Sequence, residues 1–95
     1  MKNIVISFAL LMVYFGQSQI QGTVKDFKGK PLPYVNIIIE NTYKGTTSNE
    51  DGQYELNISK PSNYVIVFQF LGYKTLTKEL KIDSLPHRLD VVMEQ

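Results

Sequence analysis

From residue 19 onward, apolar and polar side chains alternate with a period of two rather than 3.6, the pattern of half-buried strands. Ile20, Gly22 and Val24 share one face, and Gln21, Thr23 and Lys25 share the other. Asp26-Phe27-Lys28-Gly29-Lys30-Pro31 then predicts a turn, with a glycine free to take positive φ and a proline unable to donate to a ladder. Residues 34–40 predict a second strand with Val35, Ile37 and Ile39 inward, and a polar turn over 41–45 precedes a short Thr46-Thr47-Ser48 strand. Asn49-Glu50-Asp51-Gly52 predicts a tight hairpin turn with Gly52 in the left-handed region. Beyond it Tyr54, Leu56 and Ile58 face inward against Glu55, Asn57 and Ser59. After Lys60-Pro61-Ser62-Asn63, residues 64–71 are apolar on both faces except at Gln69, which predicts the central, most buried strand. Gly72 bends the chain, Leu76, Leu80 and Ile82 share a face, and a turn over 83–87 leads to a last strand with Leu89, Val91 and Met93 inward.

Short strands punctuated every eight to twelve residues, without an amphipathic helix, predict an all-β, seven-stranded antiparallel Greek-key sandwich over residues 19–95. Residues 1–18 read differently. Lys2 precedes an apolar stretch broken only by Ser7, and Gly16 and Ser18 stand at the −3 and −1 positions of a cleavage site. A dozen or so apolar residues fall short of the roughly twenty needed to span a bilayer. A cleavable signal peptide is expected, with the mature chain starting at Gln19.

Charge narrows the possible partners. Without Lys2, nine basic side chains balance nine acidic ones, so no basic face exists to track phosphates or an anionic membrane, and nucleic acid is not an expected partner. The absence of cysteine excludes disulfides, thiol nucleophiles, cysteine-based metal sites and a lipoprotein anchor. A domain this small must then be held by packing alone.

The frame Ile20-x-Gly22-x-Val24-x-Asp26, followed by Gly29-x-Pro31-Leu32-x-x-Val35-x-Ile37, resembles the opening of carboxypeptidase regulatory-like domains, a family of transthyretin-like (prealbumin-like) sandwiches. Gly45-Thr46-Thr47-Ser48-Asn49-Glu50-Asp51-Gly52 is similar to that family's glycine-threonine strand and Asp-Gly hairpin, and Phe70-Leu71-Gly72-Tyr73 to its Gly-Tyr corner. Gly22, Asp26, Gly29, Pro31, Gly45, Thr46, Asp51, Gly52, Gly72 and Tyr73 are thus the family's marks, and they bear on fold rather than chemistry. Tyr73 is expected to cap the core with its ring while its hydroxyl reaches backbone. The resemblance implies a domain of the kind found at the N-terminus of TonB-dependent outer-membrane receptors or beside carboxypeptidase catalytic domains. A receptor would continue past Gln95 into plug and barrel, so either a stand-alone domain or a truncated receptor piece is implied.

Candidate chemistry is sparse. A zinc carboxypeptidase needs two histidines and a glutamate; His87 is the sole histidine and reads as a solvated turn residue after Pro86. Ser59, Ser62 and Ser84 lie in turn-like stretches without a glycine-flanked elbow, so no hydrolase is expected. Asn49 and Asp51 alternate as calcium ligands do, but Glu55 arrives too early to complete a calcium loop. Asp83-Ser84-Leu85 resembles a short bacterial O-glycosylation pattern and makes Ser84 a candidate modification site; Asn57-Ile58-Ser59 matches an N-glycosylation sequon but falls on a strand. Among the tyrosines, Tyr54, Tyr64 and Tyr73 have the parity of core residues, which leaves only Tyr43 free to stack on a sugar. The expectation is a non-catalytic, cofactor-free and metal-free interaction module of the periplasm or outer membrane. Its expected partner is an envelope protein or a missing C-terminal domain, and a carbohydrate-binding module is the alternative.

Overall fold

The computed structural model describes residues 19–83 and 86–95. Eight strands follow one another: β1 Gln19–Asp26, β2 Asn36–Ile39, β3 Gly45–Thr47, β4 Gln53–Asn57, β5 Asn63–Gln69, β6 Leu76–Lys81, β7 His87–Arg88 and β8 Val91–Met93. No helix occurs among the described residues. The strands form two sheets, one ordered β3-β2-β5-β6 and one ordered β4-β1-β7 with β8 also on β1. The chain is therefore an all-β sandwich.

Period-two alternation builds the layer between the sheets. Ile20, Val24, Tyr54, Leu56, Val91 and Met93 from one sheet meet Ile37, Ile39, Ile66 and Phe68 from the other, all buried. Tyr54 and Phe68 meet edge to face, ring centres 5.7 Å apart, the arrangement that sets a ring's positive edge on its neighbour's negative face.

The C-terminal part departs from the seven-strand antiparallel expectation. The last strand is split at Leu89 and Asp90, and both halves run parallel to β1, with His87 opposite Ile20 and Val91 opposite Val24 in a single register. The split has a local cause. The Leu89 carbonyl accepts the Tyr54 hydroxyl at 2.5 Å, and the Asp90 carboxylate, rather than a backbone carbonyl, accepts the Thr23 amide at 2.9 Å. His87 accordingly sits half-buried in β7, not in a solvated turn.

β5 is central in its sheet, between β2 and β6, but it ends at Gln69 and is sealed on one face only. Ile66 and Phe68 are buried, Val65 and Val67 are half-buried, and Leu71 is 97% exposed. The second strand starts at Asn36, two residues later than its alternation predicts, because Tyr34 takes φ of 62° and breaks extended pairing. Tyr34 is exposed together with Tyr43, so Tyr43 is not the only free tyrosine.

Candidate functional site

Four of the residues singled out by the sequence gather at the far end of β1. Asp26, last in β1, is buried where alternation would place an apolar side chain. It is satisfied there because one carboxylate oxygen accepts the amides of Lys28 and Lys30, each at 2.9 Å. Gly29 sits inside that turn and donates its amide to the Asp26 carbonyl, while Pro31 closes it in a bridge to Lys25. Gly52 packs from the hairpin side, with φ of 74°; a Cβ there would stand 2.6 Å from the Val24 carbonyl oxygen, so both conformation and space require glycine. Its own carbonyl accepts the Val24 amide at 2.7 Å, and the Val24 carbonyl accepts Leu32 at 2.9 Å. Asp26, Gly29, Pro31 and Gly52 thus form one backbone clasp.

The other marks lie outside the clasp, although Tyr73 borders the same groove as Asp26 and Pro31. Asp51 is exposed in the hairpin turn, its amide donating to the Asn49 side chain at 2.9 Å. Gly45 and Thr46 start β3 opposite Ile38 and Ile37. Gly72 turns the chain after β5, and the Tyr73 ring packs on Phe70 with centres 5.4 Å apart. The Tyr73 ring packs against the core edge, and no hydrogen bond of its hydroxyl is found among the described residues. Gly22 faces the split between β7 and β8, where a Cβ would overlap the Leu89 carbonyl. Ser84 and residues 1–18 lie outside the described residues.

The split itself carries the polar network the sequence reading missed. Asp90 accepts from the Thr23 amide, the Thr23 hydroxyl and Arg88 Nε at 2.9, 3.1 and 3.1 Å. Burial pushes its carboxyl up, but these hydrogen bonds and the Arg88 charge outweigh that and hold it below its ordinary 3.8. Tyr54 is pushed well above the usual tyrosine range, by burial first and by the Asp90 charge second, partly offset by Arg88. Ser48 is a second omission: buried, its Oγ donates to the Leu32 carbonyl at 2.7 Å and accepts the Val35 amide at 2.9 Å. In sequence it passes for one more β-strand hydroxyl. No three His, Cys, Asp or Glu side chains gather among the described residues; Asp26, Pro31 and Tyr73 border one groove, but the hydrogen bonds of the clasp tie backbone to backbone there.

Comparison with known proteins follows the same lines. Two TonB-dependent receptors of Formosa agariphila are 36% and 35% identical over 88 and 65 residues, covering 88% and 68% of this chain. TonB-dependent receptor SusC of Bacteroides thetaiotaomicron is 30% identical over 67 residues, 70% of this chain. The chain spans only 8%, 6% and 6% of the lengths of these receptors. Chains in two crystal structures of mutant type II cohesin–X-dockerin complexes from Acetivibrio cellulolyticus superpose with TM-scores of 0.55 and 0.58 at 15% and 17% identity. They cover 79% and 80% of this chain and 51% and 56% of their own, a likeness of fold alone. The CarboxypepD_reg-like domain matches residues 20–95, so this chain belongs to the CarboxypepD_reg-like domain family.

Proposed function

We propose that this chain is a non-catalytic interaction module of a bacterial outer-membrane receptor assembly, exported by its first eighteen residues and docking through a sheet edge. The observation that carries the reading is 36% identity to a TonB-dependent receptor across 88% of the chain. The fold supplies a fitting edge in β6. The Ile82 amide donates to the Ser62 carbonyl, and antiparallel bonding alternates, so the ladder to β5 uses Leu76, Lys78 and Leu80. The amides and carbonyls of Thr77, Glu79 and Lys81 then point away from β5, where an extended partner segment can add a strand.

A photocrosslinking residue at Glu79 in the native host tests this. The expected adduct joins the module to a TonB-dependent receptor, its own longer chain or a separate one, in the outer-membrane fraction. Recovery in the cytoplasm, or in the membrane with no receptor adduct, overturns the proposal.

A further inference from the structure

One surface groove differs from its neighbours in having no charged lining. It lies at the end of the β3-β2-β5-β6 sheet and is bordered by Tyr34, Asn36, Gln69, Phe70, Leu71 and Thr75. Four other grooves each include charged side chains: Glu79 and Lys81 in one, Glu55 and Arg88 in the next, Glu55 in a third, and Asp26, Lys28 and Lys30 in the last.

Tyr34 is its most informative residue. The backbone there takes φ of 62°, and the residue is 61% exposed. The left-handed conformation is needed locally, because it lets the Tyr34 amide reach the Ser48 carbonyl at 2.9 Å while the Val35 amide reaches the Ser48 hydroxyl. Glycine or asparagine meets that need at lower strain. Tyrosine therefore adds nothing to the backbone there; it presents a ring. Beside it, Asn36 and Gln69 stand opposite one another across β2 and β5, both exposed, and each primary amide offers donors and an acceptor. Phe70 is half-buried with its ring packed on Tyr73, which backs that wall with a second ring.

We infer that this groove binds a neutral saccharide, one sugar ring resting on Tyr34 with its hydroxyls hydrogen-bonded to Asn36 and Gln69. A pyranose has an apolar C–H face for the aromatic ring and polar edges for amides. An anionic ligand finds no cation in the lining. A peptide adding as a strand finds no free edge here, since β2 is paired on both sides by β3 and β5, and β5 by β2 and β6. The inference goes beyond docking through β6 and does not depend on it.

The test is affinity electrophoresis of the protein through gels containing soluble starch, xylan or laminarin, alongside melting curves. At least one of these polysaccharides is expected to retard the protein. Tyr34→Gly should weaken that retardation about tenfold or more, while raising the melting temperature by a few degrees as the strained conformation is relieved. Asn36→Ala and Gln69→Ala should each weaken it several-fold at unchanged melting temperature, which decides the matter if Tyr34→Gly folds poorly. Tyr43→Ala, whose bare ring lies outside the groove, should migrate as the parent does. No retardation by any of the three polysaccharides overturns the site. So does retardation that survives the groove substitutions or vanishes equally with Tyr43→Ala.

Discussion

The two sheets of the sandwich handle irregularity in opposite ways. The β4-β1-β7/β8 sheet is the irregular one, mixed in direction and split at Leu89 and Asp90, yet the split is answered group by group. Tyr54 takes the Leu89 carbonyl, Asp90 takes the Thr23 amide, and Arg88 holds Asp90. Among the described residues no buried side-chain nitrogen or oxygen is left without a partner. The β3-β2-β5-β6 sheet is antiparallel throughout, but its outer face leaves Ile38, Val65 and Val67 half-buried and its β6 edge open. Regular pairing and completed burial are therefore separate properties. The irregular sheet has its polar groups satisfied at the split, though β8 still exposes Val92, while the regular sheet joins a half-buried apolar outer face to an open β6 edge.

The largest effects are expected where the sheets meet. Phe68 is fully buried and set edge to face on Tyr54 across the interface. Phe68→Ala should cost about 3–5 kcal/mol, comparable with the whole of a small domain's stability, at the lower end about 5 kcal/mol. Urea unfolding should show a variant largely unfolded without denaturant; one that keeps most of the parent stability refutes the packing described. Gly22→Ala should follow at about 3 kcal/mol, at the upper end for overpacking, because its Cβ overlaps the Leu89 carbonyl and neither strand can move without losing the Tyr54 and Asp90 bonds. Hydrogen exchange should localise the damage to the β1–β7/β8 seam, leaving the all-antiparallel sheet protected. Uniform loss of protection would mean the two sheets are one cooperative unit.

That asymmetry also explains what was legible in the sequence. Faces were legible wherever alternation reports burial: Ile20 and Val24, Ile37 and Ile39, and Tyr54, Leu56 and Ile58 are all buried as their parity implies. Positive φ at Gly29 and Gly52 was legible because the residue type itself signals it. The split strand was not. Its cause is a side chain, Asp90, replacing a backbone acceptor for a residue 67 positions earlier, and alternation through Leu89, Val91 and Met93 runs on undisturbed. Nor was Tyr34, since a bulky residue at positive φ contradicts its type, and only the Ser48 hydrogen bonds make the conformation pay. The clasp residues carry a fold signal, whereas the groove is assembled from side chains at the start of β2, the end of β5 and the turn between β5 and β6 that no local pattern connects.

Smaller effects should come from the charges at the split, and they depend on pH. Asp90 is held below its ordinary 3.8, so it stabilises the fold above that value and the contribution is lost as pH falls through its lower folded-state value. Its side chain is about half exposed (52%), so solvent screening keeps the contribution under about 1 kcal/mol. Asp90→Asn should therefore be slightly less stable than the parent at pH 7 and indistinguishable from it at low pH. Tyr54 works at the other end. Its raised value means that its contribution is complete below 10.0, the ordinary tyrosine value, and fades as pH climbs beyond it. A parent protein whose stability is flat between pH 7 and 11 is inconsistent with a Tyr54 hydroxyl buried beside the Asp90 charge.

The smallest effect tests whether exposure on the presenting sheet is structural at all. Tyr43 lies in the turn between β2 and β3 with its side chain wholly in solvent. The turn is held without it: the Thr42 hydroxyl donates to the Ile39 carbonyl at 2.8 Å and accepts the Lys44 amide at 3.0 Å. The Ile39 amide closes on the Lys44 carbonyl at 3.0 Å. Tyr43→Ala removes a ring that touches none of these groups, so it should change stability by less than about 0.5 kcal/mol, as surface substitutions do. Thr42→Ala in the same turn removes a donor and an acceptor and should cost about 1 kcal/mol. Unfolding midpoints measured side by side would separate the two. A Tyr43→Ala loss equal to that of Thr42→Ala would mean the ring folds back onto the β2–β3 turn, and the contrast between the two sheets would then stop short of this end of the molecule.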